Sequence, residues 1–278
     1  MNKDVDKYYL DMTLKLAQKG EFTVYPNPKV GAIIVKNDKI VGSGYHKSSG
    51  SSHAEAIAIK KAGSKSKNST LYVNLEPCSH FGKTPPCVDL IIKHQIKRVV
   101  IANYDPNPLV NKKSINKLRR AGISVSTGIL KEKAILLNKE FYHMHQSRMP
   151  HITIKVGLSL DGKIALSNGF SKWITSTESR QDVQRERAKS SVILSTSKTI
   201  LKDNPSLNVR EKNYLKQLRK QPDLAVIDNG LCLDENLHIF NDPNRKILIF
   251  THSNEKRNYK KNVEVIRLSK NHNYLQKV

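Results

Sequence analysis

The chain has 278 residues, of which 38% are hydrophobic, and a formal net charge of +24. This length suits two α/β domains, and the apolar content is sufficient for a core in each. No apolar run is long enough for a membrane span, and residues 1–12 lack the apolar region of a signal peptide, so we expect a cytoplasmic protein.

The positive charge is spread along the whole chain rather than gathered in one stretch. Clustered Lys and Arg would indicate a nucleic-acid partner. Here Lys is accompanied by many Asn and Ile residues, whose codons are A/T-rich, so mutational bias can account for the composition. We therefore expect no nucleic acid and no membrane as partners, although the charge can help to attract a phosphorylated small substrate. The sequence leaves assembly into a homo-oligomer open.

The first half of the chain predicts alternating helices and strands. A helix is expected over residues 7–19, followed by a β-hairpin, a helix from His53 to Gly63, and then further strands and helices. The hairpin strands are residues 30–35 and 39–45, the later strands are 70–75, 98–103 and 123–129, and the later helices are 87–97 and 115–122. This alternation predicts an open, largely parallel sheet with helices on both faces, and residues 138–150 are predicted as a connector.

A new pattern begins after this connector, so we place the domains at residues 1–147 and 148–278. A strand is predicted to run into a turn over residues 151–162. A helix over residues 175–190 is predicted to start with a capping box of Thr175 and Glu178. The further strand candidates are residues 191–201, 223–229, 246–252 and 263–268.

The first half contains a candidate set of metal ligands. His53 and Glu55 form an H-A-E motif at a helix start, Cys78 follows a proline, and Cys87 starts another helix. One His and two Cys suit Zn²⁺, and three protein ligands leave a fourth position for water, which marks a catalytic site rather than a structural one. Glu55 lies two residues after the ligand His53, so it can act as general base and then general acid. The third cysteine, Cys232, has no evident partner and is predicted to be a plain apolar side chain.

Three segments carry a resemblance to a known family: H53-A-E55, E76-P-C-S-H-F-G-K-T-P-P-C87 and D105-P-N-P. They resemble the bifunctional riboflavin-biosynthesis family, a pyrimidine deaminase fused to a reductase. The resemblance implies a cytidine-deaminase-like three-layer α/β/α domain followed by a partial dihydrofolate-reductase-like α/β domain. It also implies one Zn²⁺ per chain and hydrolytic deamination of 2,5-diamino-6-ribosylamino-4(3H)-pyrimidinone 5′-phosphate.

By the same resemblance, five residues of the first half would bind the pyrimidine phosphate: Asn27, His80, Lys83, Asn103 and Asp105. The second half would reduce the ribosyl group to a ribityl chain with NADPH. Its cofactor-binding residues would be Gly157, Trp173, Thr199 and Asp203, and its substrate-binding residues would be Ser171, Arg187, Leu207 and Arg210. The chain ends at Val278, before the family's late acidic and glycine-rich segment, so we expect an incomplete reductase half.

Two other functions remain open from the sequence. The charge suggests a base deaminase that acts on tRNA, or another basic nucleic-acid-binding protein, although no stripe of aromatic and basic residues supports it. The second half could also serve only as a structural or oligomerisation module.

Overall fold

The computed structural model describes residues 3–82 and 84–269. Its contacts divide the chain into two compact units, Met1–Thr153 and Ile154–Val278. Each unit has a sheet and an apolar core of its own.

A five-stranded mixed sheet forms the centre of the first unit. Its strands are β1 (Gly31–Lys36), β2 (Lys39–Tyr45), β3 (Thr70–Val73), β4 (Arg98–Ile101) and β5 (Ser124–Thr127). They lie in the order β2-β1-β3-β4-β5. β1 is antiparallel to β2 and β3, while β3, β4 and β5 are parallel to one another.

Helices cover both faces of this sheet. They are α1 (Lys3–Gln18), α2 (Ala54–Ala62), α3 (Cys87–Lys93), α4 (Lys113–Arg120), α5 (Lys131–Leu137) and α6 (Lys139–Ser147). The apolar sides of α2, α3 and α4 pack on one face, and α1 and α5 pack on the other. The resulting three-layer α/β/α architecture is the one that the resemblance implied.

Close approach of α2 to the hairpin depends on glycine. A side chain at Gly42 would collide with the backbone carbonyl of Ala58, and one at Gly44 would approach the carbonyl of Ala54. The missing side chains let the backbone of α2 pack directly on β2. His53, the residue before α2, is thereby held close to the end of β2.

The second unit contains a four-stranded parallel sheet. Its strands are β6 (Val192–Thr196), β7 (Asp223–Ile227), β8 (Ile247–Thr251) and β9 (Val263–Arg267), in that order. The helices are α7 (Thr177–Lys189), α8 (Ser197–Asp203) and α9 (Lys212–Leu215). Leu224, Val226, Ile247 and Ile249 alternate along β7 and β8 and form the core with Phe240.

One prediction for the first unit is confirmed and another was wrong. The sheet is largely parallel: α2 carries the chain from β2 past β1 to β3, so β2, β3, β4 and β5 run in the same direction, while β1 is antiparallel to both of its neighbours. The predicted connector over residues 138–150 is mostly the helix α6, whose Tyr142 is buried and donates a hydrogen bond to the carbonyl oxygen of Tyr104.

The second unit also departs from its predicted elements. No strand forms over residues 151–159 of the described chain, because that apolar alternation has no neighbouring strand to bond with there, and Ile154 is 83% exposed. The strand predicted over residues 191–201 changes into α8 at Ser197. Ser176, not Thr175, caps α7 by accepting a hydrogen bond from the Ser179 N–H. Cys232 is exposed, and its thiol donates to Asp228.

Among the described residues, no helix is both long enough and apolar enough to span a membrane.

Candidate active site

Most of the predicted deaminase residues lie at one edge of the five-stranded sheet. In the strand register, Gly31 is opposite Tyr45, Ala32 is opposite Val73, and Val73 is opposite Ile101. The start of β1 and the ends of β2, β3 and β4 therefore lie at the same edge. Loops at this edge of the sheet are the expected location of a binding site in an open α/β fold.

His53, Cys78 and Cys87 converge at this edge. His53 precedes α2, Cys78 follows β3, and Cys87 begins α3. Their ligand atoms all lie within 4.8 Å of one another. His53 Nδ1 is 3.5 Å from Cys78 Sγ and 3.3 Å from Cys87 Sγ. Ligand atoms around a tetrahedral Zn²⁺ are about 3.5–3.8 Å apart, given the usual zinc–ligand bond lengths, so this set fits the ion.

Two neighbouring groups, the Cys87 backbone N–H and the Thr84 hydroxyl, contact the candidate ligands. The backbone N–H of Cys87 donates to Cys78 Sγ over 3.2 Å. The Cys87 thiol, the His53 imidazole and this N–H lower the pKa of the Cys78 thiol, and together they outweigh the opposite effect of burial. On the other side of the His53 ring, Nε2 is 3.3 Å from the hydroxyl oxygen of Thr84. With Nδ1 bound to a metal, Nε2 would carry the proton and donate to Thr84.

Glu55 lies in the first turn of α2, two residues after His53, and is only 3% exposed. Burial raises the pKa of its carboxyl group to about 7, although the nearby His53 opposes this shift. A buried carboxyl group with a pKa near neutrality can both accept and return a proton under ordinary conditions. This is the property that a proton shuttle beside the metal ligands requires.

Asn27 lies in the loop before β1, and its side-chain Nδ2 is 2.9 Å from Nε2 of the buried His46. Two buried carboxamides fix this loop. Asn138 accepts from the Lys29 N–H and donates to the Lys29 carbonyl, and Asn74 donates to the same carbonyl and accepts from the Gly31 N–H. The loop therefore has a defined position although it has no regular structure.

Asn103 and Asp105 follow β4 and are both buried. Asn103 donates to the hydroxyl oxygen of Tyr142. Burial, with a contribution from the charge of Glu76, raises the pKa of Asp105 to about 7. Glu76 itself holds the loop, because its carboxylate accepts from the backbone N–H groups of Asp105 and Lys112 and from the Ser114 hydroxyl.

His80 lies in the insert between the two cysteines and is exposed. Lys83, the other predicted phosphate contact of that insert, lies outside the described residues. Their proposed roles therefore remain predictions.

Three of the four predicted reductase substrate residues lie close together. Arg187 of α7 donates to the carbonyl of Asn208, and the Arg210 N–H donates to Gln184 of the same helix. Leu207 lies in the intervening segment with a positive φ of 48°. Burial and the charge of Arg210 lower the pKa of Arg187, as expected for two neighbouring cations. Ser171, the fourth predicted residue, is exposed.

The predicted NADPH contacts are more scattered. Thr199 and Asp203 lie one helical turn apart on α8, immediately after β6, and both are exposed. Trp173 is 73% exposed and stacks on the guanidinium of Arg180, whose carbon is 4.4 Å from the ring centroid. Gly157 is half-buried, and a side chain there would touch Thr175.

Two family models match the chain. The cytidine and deoxycytidylate deaminase zinc-binding region covers residues 3–103, and the RibD C-terminal domain covers residues 150–277. A riboflavin biosynthesis protein RibD from Buchnera aphidicola is 45% identical over 258 residues, which are 89% of this chain and 69% of the relative. The Escherichia coli RibD is 47% identical over 232 residues, covering 81% of this chain and 63% of the relative.

The chain belongs to the RibD family of riboflavin biosynthesis proteins. Two solved RibD-type structures have the same fold over 96% of this chain and 75% of their own. The Acinetobacter baumannii RibD is 36% identical with a TM-score of 0.88. The deaminase/reductase from Thermotoga maritima is 38% identical with a TM-score of 0.87. The deaminase-like and reductase-like halves inferred from sequence are confirmed, and this chain spans about two thirds of the length of its curated RibD relatives.

The RibD resemblance did not reveal the residues that support the site. His46, Glu76 and Thr84 contact predicted functional residues, yet the sequence assigned no role to any of them. Glu76 and Thr84 lie within the segment of residues 76–87 that carried the resemblance, and this was the available signal. His46 could be placed beside Asn27 only once the β1–β2 register was known.

Proposed function

We propose that this chain acts in riboflavin biosynthesis and that its first unit hydrolytically removes the 2-amino group of 2,5-diamino-6-ribosylamino-4(3H)-pyrimidinone 5′-phosphate. The main support for this proposal is that His53, Cys78 and Cys87 converge beside the buried carboxyl group of Glu55. Membership of the RibD family supports this substrate class. A small phosphorylated pyrimidine is accordingly the proposed partner of the site.

His53 Nδ1 and the two Sγ atoms would hold the zinc ion, in keeping with their spacing. Bound Zn²⁺ supplies acidity, because it lowers the pKa of a water molecule at an open coordination position to near neutrality.

Glu55 carries out the proton transfers. Its carboxylate takes a proton from the attacking water, whose oxygen forms a bond to C2 of the pyrimidine. The carboxyl group passes this proton to the ring nitrogen, then takes the second proton from the new C2 hydroxyl and passes it to the amine, which leaves as ammonia as the C2–N bond breaks. Asn27, Asn103 and Asp105 at the same sheet edge would orient the pyrimidine.

The decisive experiment incubates zinc-loaded protein with the diaminopyrimidine phosphate and measures ammonia. We expect release by the unaltered chain and a loss of about 10²–10⁴-fold in Glu55→Gln, the usual contribution of general acid–base catalysis. Elemental analysis should show that Glu55→Gln keeps its zinc. Glu132→Gln, the same change at an exposed position in α5, is the matched control and should keep full activity. No ammonia from the zinc-loaded unaltered chain would reject the proposal.

For the second unit we propose NADPH-dependent reduction of the ribosyl group. Arg187 and Arg210 form a cationic pair beside residues 207–208, which suits a substrate phosphate. Thr199 at the start of α8 is a suitable hydroxyl donor for a cofactor phosphate.

NADPH absorbance in the same incubation tests this second step. We expect its oxidation once the deaminated pyrimidine has formed, with a raised KM for that pyrimidine in Arg187→Gln. Ammonia release without any loss of NADPH would reject the reductase step and leave the deaminase step intact.

The nucleic-acid base deaminase is not favoured, because the matched relatives are riboflavin biosynthesis proteins. A cytoplasmic location and a homo-oligomeric assembly stay predictions.

A further inference from the structure

We propose that His46 is a positioning residue that fixes the polarity of Asn27: it holds the carboxamide with Nδ2 on the imidazole and leaves Oδ1 to accept a hydrogen bond from the substrate. The inference rests on the proposed deaminase function. It adds a rule for recognition at that site, because the part of the substrate that faces Asn27 must then be an N–H or O–H donor.

The first step concerns the Ser52 carbonyl. His46 Nδ1 is 3.3 Å from the Ser52 carbonyl oxygen, which can only accept a hydrogen bond. Nδ1 must therefore carry a proton. Since Ser52 directly precedes the metal ligand His53, the position of its carbonyl is set by the same turn that starts α2.

The second step concerns the other ring nitrogen. His46 is only 3% exposed, and no hydrogen bond from its ring to a carboxylate is found in the described part of the chain. A buried imidazole without such a partner is expected to be neutral, because burial of an unpaired charge is costly. With its proton on Nδ1, the neutral ring can only accept at Nε2.

The third step concerns the orientation of the Asn27 carboxamide. The Asn27 side chain lies 2.9 Å from His46 Nε2, so the group that faces the ring must be its donating NH₂. The two arms of a carboxamide have nearly the same shape, and only hydrogen bonding decides which arm is which. The backbone of His46 is tied to the same loop, because its N–H donates to the Val30 carbonyl over 2.8 Å.

Two observations support a role in the site rather than in general packing. The His46 ring meets the His53 ring edge-on, with centroids 5.3 Å apart, so it touches both a predicted substrate contact and a predicted zinc ligand. Asn27 is half-buried, and no bond to its Oδ1 is recorded among the described residues. That oxygen is thus available to a ligand.

The first test reads the tautomer without any substrate. The ¹⁵N–¹H spectrum of the zinc-loaded, unaltered protein should show His46 as the neutral Nδ1–H tautomer, with its signals assigned by their loss in His46→Phe or His46→Gln. An Nε2–H tautomer would overturn the proposal. This measurement remains decisive if the pyrimidine is not the substrate. Failure of the proposed function can therefore be distinguished from failure of the proposed role of His46.

The second test is a double-mutant cycle on deamination. His46→Phe should lower kcat/KM about tenfold, the change expected for the loss of one oriented hydrogen bond. In an Asn27→Ala background the same change should have almost no further effect, because His46 acts through Asn27. Zinc content should be equal in all four proteins, and His143→Phe on the exposed side of α6 should leave kcat/KM unchanged.

An equal loss from His46→Phe with and without Asn27 would show that His46 serves only the general structure, and the proposal would be rejected. If His46→Phe fails to fold, the tautomer of the unaltered protein alone gives the answer.

Discussion

The imidazole of His53 uses both of its nitrogens in the candidate site. Nδ1 faces the two sulfur atoms, and Nε2 faces the Thr84 hydroxyl. A zinc-bound histidine usually has such a partner on its second nitrogen, which fixes the ring and its tautomer. Besides the substrate contacts predicted for it, the insert between the cysteines therefore contributes a residue that contacts a predicted metal ligand.

We expect Thr84→Val to weaken zinc binding by about 10–100-fold, the usual effect of losing such a partner. The valine has the same shape but cannot accept from His53 Nε2. Zinc affinity is measured by competition with a chromophoric chelator. Thr84→Ser keeps the hydroxyl and should keep the affinity; equal affinity in Thr84→Val would contradict the role of this contact.

At the scale of elements, a buried charge cluster attaches α1 to the sheet. Both Nη atoms of Arg98 in β4 donate to the Asp6 carboxylate over 2.7 and 2.6 Å, and the Tyr72 hydroxyl of β3 donates to the same group over 3.0 Å. Asp6 is 4% exposed. Asp11, by contrast, lies at the surface of α1 and pairs with Lys15 and Lys133.

Arg98→Met should reduce the free energy of unfolding by about 3–5 kcal/mol, because it leaves the Asp6 carboxylate buried without its cation. Asp11→Asn removes only exposed ion pairs and should cost about 0–1 kcal/mol. Urea unfolding at neutral pH measures both values. Similar losses in the two variants would show that the buried cluster contributes no more than a surface pair.

The same cluster predicts a pH dependence. Burial acts to raise the pKa of Asp6, but hydrogen bonds and charge from Arg98, with help from Tyr72, outweigh it and hold the pKa below its ordinary value. Since the folded-state pKa is the lower one, the stabilisation is complete above the unfolded-state pKa and is lost as the pH falls through the folded-state value.

The difference in unfolding free energy between the unaltered chain and Asp6→Asn should thus be constant near neutrality and shrink below about pH 4. Zinc-free protein is used for this comparison, so that loss of the metal in acid does not contribute. A difference that widens on acidification would contradict the sign of the shift.

At the scale of the whole molecule, the three predicted metal ligands belong to one unit. His53, Cys78 and Cys87 all lie within Met1–Thr153, and the second unit has a separate apolar core. Binding of an ion to the folded state alone stabilises whatever unfolds together with its ligands.

Zinc at a free concentration 100-fold above its dissociation constant should stabilise the first unit by about 2.7 kcal/mol. Amide hydrogen exchange is the measurement: protection should rise in β3 and β4, which precede the site loops, and remain the same in β7 and β8. In Cys78→Ser the rise should disappear. An equal rise in both units would contradict this assignment.

The sequence alone determined the candidate ligand set, the layered fold of the first half and most of its elements, because these depend on short-range patterns. His53 and Glu55 are two residues apart at the start of one helix, while Cys78 follows a strand and Cys87 begins a helix that apolar periodicity identifies. The parallel strands β7, β8 and β9 were recognisable for the same reason, as short apolar runs between turns.

Only the tertiary structure decided the contacts that depend on strand order and register. The register of β1 against β2 brings Asn27 to His46, and the docking of α6 brings Tyr142 to Asn103, across separations of 19 and 39 residues. Residues 151–159 have the apolar alternation of a strand but do not form one. A strand requires a bonded neighbour, and the pattern within one segment carries no information about whether that neighbour is present.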